Sequence, residues 1–97
     1  MSAISRGTPK NSSATIAASS ASILTANPTR QYLFIQNTSV ANSAAFTLDG
    51  TAAVINSAGS IQLSAGSFVQ FDTFVPNGPV NAIGSAGSTT LTVYSLE

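Results

Sequence analysis

Gln31-Tyr32-Leu33-Phe34-Ile35-Gln36-Asn37 is the stretch that decides how this chain folds. Aromatic and β-branched residues dominate it, and amides close it at both ends, so it reads as a β-strand. Tyr32 to Ile35 run without a polar break, which means that both faces of the strand must be covered. One face can meet the core of the domain. The other needs a second layer or another chain.

The sequence on either side repeats this grammar of short strands and turn signals. Upstream, Asn27-Pro28-Thr29-Arg30 is a turn: proline presets φ at the second position, and asparagine can cap its own backbone. Before it, residues 14–18 and 22–25 are weak strand candidates rich in small side chains. Downstream, a polar loop at 37–43 leads to a strand at 44–48 and to the turn signal Asp49-Gly50, of the type I′ hairpin kind where strands flank it closely. Residues 51–56 read as a loop or a short edge strand. Residues 60–64 alternate, with Ile61 and Leu63 inward and Gln62 outward, and Ala65-Gly66 then turns the chain into a strand at 67–72. Those two strands are expected to form a hairpin. Pro76, Asn77, Gly78 and Pro79 make 73–79 a loop. Strands at 80–84 and 89–96 finish the chain, with Leu91 and Val93 facing one way and Thr90, Thr92 and Tyr94 the other. No segment has helical periodicity of adequate length. The expectation is an all-β fold: a single small, jelly-roll-like β-sandwich of seven or eight short antiparallel strands over residues 14–97, preceded at 1–13 by an extended, flexible N-terminal arm.

Composition narrows the chemistry. The 97 residues include no histidine and no cysteine, and only three basic and three acidic side chains: Arg6, Lys10, Arg30, Asp49, Asp72 and Glu97. Enzymes draw on those types to move protons, hold metals and stabilise developing charge. The chain is therefore expected to be non-enzymatic, with no cofactor and no metal. Three scattered cations form no patch that could displace counterions from nucleic acid, nor one that an anionic membrane surface would attract. The apolar runs are all shorter than the ~20 residues that a helical span requires. The N-terminal stretch has no continuous apolar core of the kind a secretory leader uses. Zero formal net charge gives little colloidal repulsion and so favours association.

Individual candidates are weighed against ordinary structural roles. Asp49 and Asp72 are the one pair that could act as glycosidase carboxylates, but a hairpin turn and a strand end are common structural placements. Gly84-Ser85-Ala86-Gly87-Ser88 lacks the lysine that follows a phosphate-binding loop, and reads as a turn. Arg30, the one basic residue inside the expected domain, either braces loop carbonyls, pairs with Asp49 or Asp72, or reaches across a subunit interface. The aromatics are mostly core by expectation. Phe74 is the exception: it stands in a loop and either plugs the end of the sandwich or anchors an interface. Candidate interface residues are Arg6, Lys10, Arg30, Tyr32, Phe34 and Phe74.

The stretch 22–37, in which Asn27-Pro28-Thr29-Arg30 leads into an apolar strand ending in Gln36-Asn37, resembles small β-rich virion proteins of tailed bacteriophages. Gly59-Ser60-Ile61-Gln62-Leu63, Gly66-Ser67-Phe68, Val75-Pro76-Asn77-Gly78 and the closing Thr-Leu-Thr-Val-Tyr-Ser-Leu-Glu are similar too. The proteins it resembles are capsid decoration (cement) proteins or head- and tail-associated proteins. The resemblance covers residues 14–97 and brings no catalytic residue. It implies a structural protein made in the host cytoplasm and carried on the capsid surface of the virion. Its partners would be the major capsid protein of the same phage and further copies of itself, with a trimer favoured. The alternative is a tail, neck or fibre component, or a glycan-recognising module using Tyr32, Tyr94, Asn77 and Asp72.

Overall fold

The computed structural model describes residues 8–96, which contain strands and no helix. The strands are β1 (Pro9–Asn11), β2 (Ala14–Ile16), β3 (Ala21–Leu24), β4 (Tyr32–Asn37), β5 (Ala44–Thr47), β6 (Ile61–Leu63), β7 (Phe68–Phe71), β8 (Val80–Gly84) and β9 (Thr89–Leu96). They form two antiparallel layers, a small β-sandwich. The front sheet has the order β1-β9-β4-β7, with β2 also paired to β9, and the back sheet has the order β3-β8-β5-β6. The strand missing from the sequence expectation is β1. Residues 9–11, within the stretch read as an arm, lie along β9 with Pro9 opposite Leu96 and Asn11 opposite Tyr94.

Period-two alternation builds the core. In β4, Leu33 and Ile35 point inward and are fully buried, as are Leu91 and Val93 of β9; Leu24, Ala44, Phe46, Leu63, Val80 and Ala82 meet them from the back sheet. Each fully buried large aliphatic side chain contributes about 1.5–3 kcal/mol. This core is mostly aliphatic, which corrects the expectation for the aromatics. Phe46 alone among them is fully buried, whereas Phe68, Phe74 and Tyr94 are exposed and Tyr32, Phe34 and Phe71 are half-buried. The reason is spacing: small residues at Ala44 and Ala82 let the layers approach, and aliphatic side chains fill what remains.

The expected 60–72 hairpin does not form. β6 pairs with β5 in the back sheet, and β7 pairs with β4 in the front sheet. The turn signal at Ala65-Gly66 is real, with Gly66 at φ +83°, but it turns a corner between layers. Asn37 explains why. It is fully buried at the end of β4, and its Nδ2 donates to the carbonyls of Leu63 at 3.0 Å and Asn42 at 2.8 Å. Its Oδ1 accepts from the Ser39 N–H at 3.0 Å. Its own N–H donates to Ser67, and its carbonyl accepts from Gly66. One side chain thus ties both layers and two loops together. Asn37→Ala removes a buried donor to the Leu63 carbonyl and one of two side-chain donors to the Asn42 carbonyl, the other being Ser39 Oγ at 2.9 Å, so it is expected to lower unfolding free energy by about 2–3 kcal/mol, read from a urea titration with unchanged slope.

Two further details set the surfaces. Ile61, expected inward with Leu63, is exposed: β6 is a sheet edge, and Ile61, opposite Phe46, borders an open groove. Segment 50–56 forms no strand and lies across the outside of the back sheet. Asn81 Nδ2 donates to Gly50 and Thr51, Thr47 Oγ1 donates to Thr51, and the Ala53 N–H donates to Ser20 Oγ.

Candidate contact surface

The residues of β4 that do not enter the core are Tyr32, Phe34 and Gln36, and they project from the outside of the front sheet. Register places their neighbours on the same face. Phe34 lies opposite Tyr94 of β9 and opposite Gln70 of β7, Gln36 lies opposite Phe68 and Thr92, and Tyr32 lies opposite Leu96. Asn11 extends the face beyond Tyr94. The Phe34 and Phe68 rings stack at 5.5 Å with 25° between their planes, and Phe68 is 58% exposed. The result is an aromatic ridge crossing three strands, bordered by amides and threonines, and none of the described strand residues paired across it is charged.

The polar tips on this face bond to one another. Tyr32 Oη donates to Gln70 Oε1 at 3.0 Å, and Asn11 Nδ2 donates to Tyr94 Oη at 3.3 Å. Gln36 Nε2 donates to the Gly66 carbonyl at 3.3 Å. These lateral bonds lower the penalty of removing the face from water, because its donors and acceptors keep partners when water leaves. Phe34 stacks on Phe68 and lies opposite Tyr94 in register. The arrangement suits broad, non-directional packing against an apolar protein surface.

The back sheet differs. Its outside is roofed by segment 50–56, so that Ala45 is fully buried and Ala53 is only 2% exposed. Among the described residues nothing comparable crosses the front sheet, and the second covering layer required by an unbroken apolar strand is supplied there on one face only.

The other sequence candidates separate in space. Arg6 lies outside the described residues. Lys10 is exposed on β1, opposite Ser95. Arg30, a candidate interface residue, is 6% exposed and sits inside the domain. Its Nη1 donates to the carbonyls of Pro76 at 2.7 Å and Gly78 at 3.2 Å, and its Nη2 to Thr25 at 2.8 Å. It braces loop carbonyls, the first of the roles the sequence allows. Phe74 is 71% exposed and walls a groove of about 630 Å³ with Phe46, Leu48, Ile61, Val75 and Pro79, apart from the aromatic ridge. Tyr32 and Phe34 belong to the ridge. The sequence reading missed Phe68, Gln36 and Gln70 as its partners. The alternation in Ser67-Phe68-Val69-Gln70-Phe71 put Phe68 and Gln70 on one side, but only pairing with β4 shows that this side faces out.

Among the described residues no three His, Cys, Asp or Glu side chains come together. Asp49 caps its own turn: Thr51 Oγ1 donates to its carboxylate at 2.7 Å and the Thr51 N–H at 3.2 Å, and these bonds hold its pKa below the ordinary carboxylate value. Gly84 is a close-packing position, since a Cβ there would collide with the Thr89 side chain. Comparison with protein-family models, with curated proteins and with solved structures gives no match.

Proposed function

We propose that this chain is a non-catalytic structural protein of a tailed-phage particle, a capsid decoration protein that seats its front sheet on the major capsid protein and holds neighbouring shell subunits together. The observation that carries this reading is the uncovered, uncharged aromatic ridge of Tyr32, Phe34, Phe68 and Tyr94, in a domain that roofs its other sheet with its own chain. The turn-and-strand resemblance to virion proteins supplies the setting.

The mechanism is linkage. A protein that binds the assembled shell and not its separated subunits stabilises the shell by mass action. Repetition over a symmetric lattice makes modest single contacts strong together. A contact made of rings, amides and hydroxyls also holds across changes of ionic strength, because it contains no charge to screen.

Quantitative mass spectrometry of purified particles, against the major capsid protein, tests the assignment. Near parity is expected for a protein repeated over the lattice. A few copies per particle would move it to the tail, neck or fibre, and absence from particles would remove the virion assignment.

A further inference from the structure

The four sheet edges of the sandwich are not equally protected. An open edge invites pairing with another chain, and proteins commonly guard it with proline, lysine, bulges or covering loops. β1 carries Pro9 and Lys10, and the edge is interrupted before β2, where the Ser13 N–H turns back to Asn11 Oδ1. β3 has a register shift between Ser22 and Leu24. β6 is three residues long, and the adjoining loop is tied back to it, with the Asn56 N–H donating to Gln62 Oε1. β7 has none of these devices. Its residues Phe68-Val69-Gln70-Phe71 hold an unbroken register along β4 and contain no charge, proline or glycine.

Hydrogen-bond direction shows what this edge offers. The Ser67 carbonyl accepts from the Asn37 N–H. Peptide groups along a strand alternate in direction, so those of Val69 and Phe71 also face β4, and those of Phe68 and Gln70 face outward.

We propose that β7 is a strand-addition edge for a second copy of this chain, with two copies joined β7 to β7, antiparallel, about a two-fold axis at Val69. This register is singled out by the groups present. Each Phe68 then faces the other copy's Gln70, so that the outward N–H and C=O of both residues are used in both copies. Shifting the axis to Gln70 pairs Phe68 with the other copy's Asp72 beyond the strand end. The axis at Val69 keeps the faces matched, with Phe68 beside Gln70 outside and Val69 beside Val69 inside. It places each Asp72 opposite Gly66, so no like charges meet. The contact is isologous, as two-fold symmetry requires.

The size of the ridge gives an independent reason for a second copy. Four strands at ~4.8 Å and six residues at ~3.3 Å make a front face of roughly 400 Å², about half of the ~800 Å² per partner in a standard interface. Joining two front sheets edge to edge doubles it. The area comparison rests on the proposed shell contact; the edge pairing does not, and its test uses the isolated chain.

Sedimentation equilibrium of the purified 97-residue chain is expected to give the mass of a dimer. Gln70→Pro removes an N–H that points away from β4, so near-UV circular dichroism should be retained while the dimer dissociation constant rises at least 100-fold. Directly opposed residues in a non-hydrogen-bonded pair have Cα atoms ~4.5 Å apart, within disulfide range. Val69→Cys, in a chain without other cysteines, should therefore oxidise to a covalent dimer. A monomer at ~1 mM, the trimer that the family resemblance implies, a folded Gln70→Pro that stays dimeric, or a Val69→Cys that resists cross-linking would each overturn the proposal.

Discussion

Arg30→Ala is expected to lose about 3–4 kcal/mol of stability and to lower the melting temperature by roughly 15–25 °C, at the several degrees per kcal/mol usual for a domain of this size. The guanidinium donates to Thr25, Pro76 and Gly78, three carbonyls from two separate loops. Hydrogen bonds from a charged donor are worth about 1.5–3 kcal/mol each, but their sum overstates the loss. Burying the charge has its own penalty, which the substitution removes, and loosened loop carbonyls regain water. What remains is a cavity at the end of the sandwich and a 73–79 loop without its brace. Arg30→Lys keeps the charge and part of the volume but not the planar fork that reaches three acceptors, so it should fall between, near 2 kcal/mol. Thermal melts of the two variants beside the parent check both values. A loss below 1 kcal/mol for Arg30→Ala would show that the loop is held by other contacts.

The second large effect is on binding rather than folding. Phe34→Glu puts a carboxylate at the centre of the aromatic ridge, between Phe68 and Tyr94. In the free domain that side chain is half-buried and close to solvent, so folding should suffer by only about 1 kcal/mol, mainly from the lost ring stack. Against a shell surface the charge would be desolvated without a partner. Such a penalty exceeds the ~2.7 kcal/mol that corresponds to 100-fold. Co-sedimentation with particles stripped of their own copies is expected to show at least that loss. Phe74→Glu, in the groove apart from the ridge, should change binding less than tenfold. Because the ridge is uncharged, parent binding should be nearly constant between roughly 50 and 500 mM salt.

These effects mark how far the sequence could be read. The strand at 31–37, the alternation of Leu91 and Val93 and the turns at 27–30 and 65–66 were legible because they depend on local chemistry. Layer assignment was not. A turn signal specifies that the chain reverses, whereas Asn37, distant in sequence, specifies that the strand after Gly66 joins the other sheet. The same limit hid the ridge. Phe68 and Phe71 are equally apolar in sequence, and only register against β4 sends one outward and the other towards the core. Arg30 was recognisable as the one basic side chain inside the domain, and its carbonyl-bracing role was among the readings open to it. Its burial became visible only once the 73–79 loop was folded over it.

The central claim is that the front sheet is the face the domain presents to the shell. A cryo-electron microscopy map of the particle at side-chain resolution tests it directly. The account predicts density for the domain with Tyr32, Phe34, Phe68 and Tyr94 packed against the major capsid protein and the roofed back sheet turned to solvent. A domain bound with its front sheet facing solvent, or a shell without the domain, would contradict it.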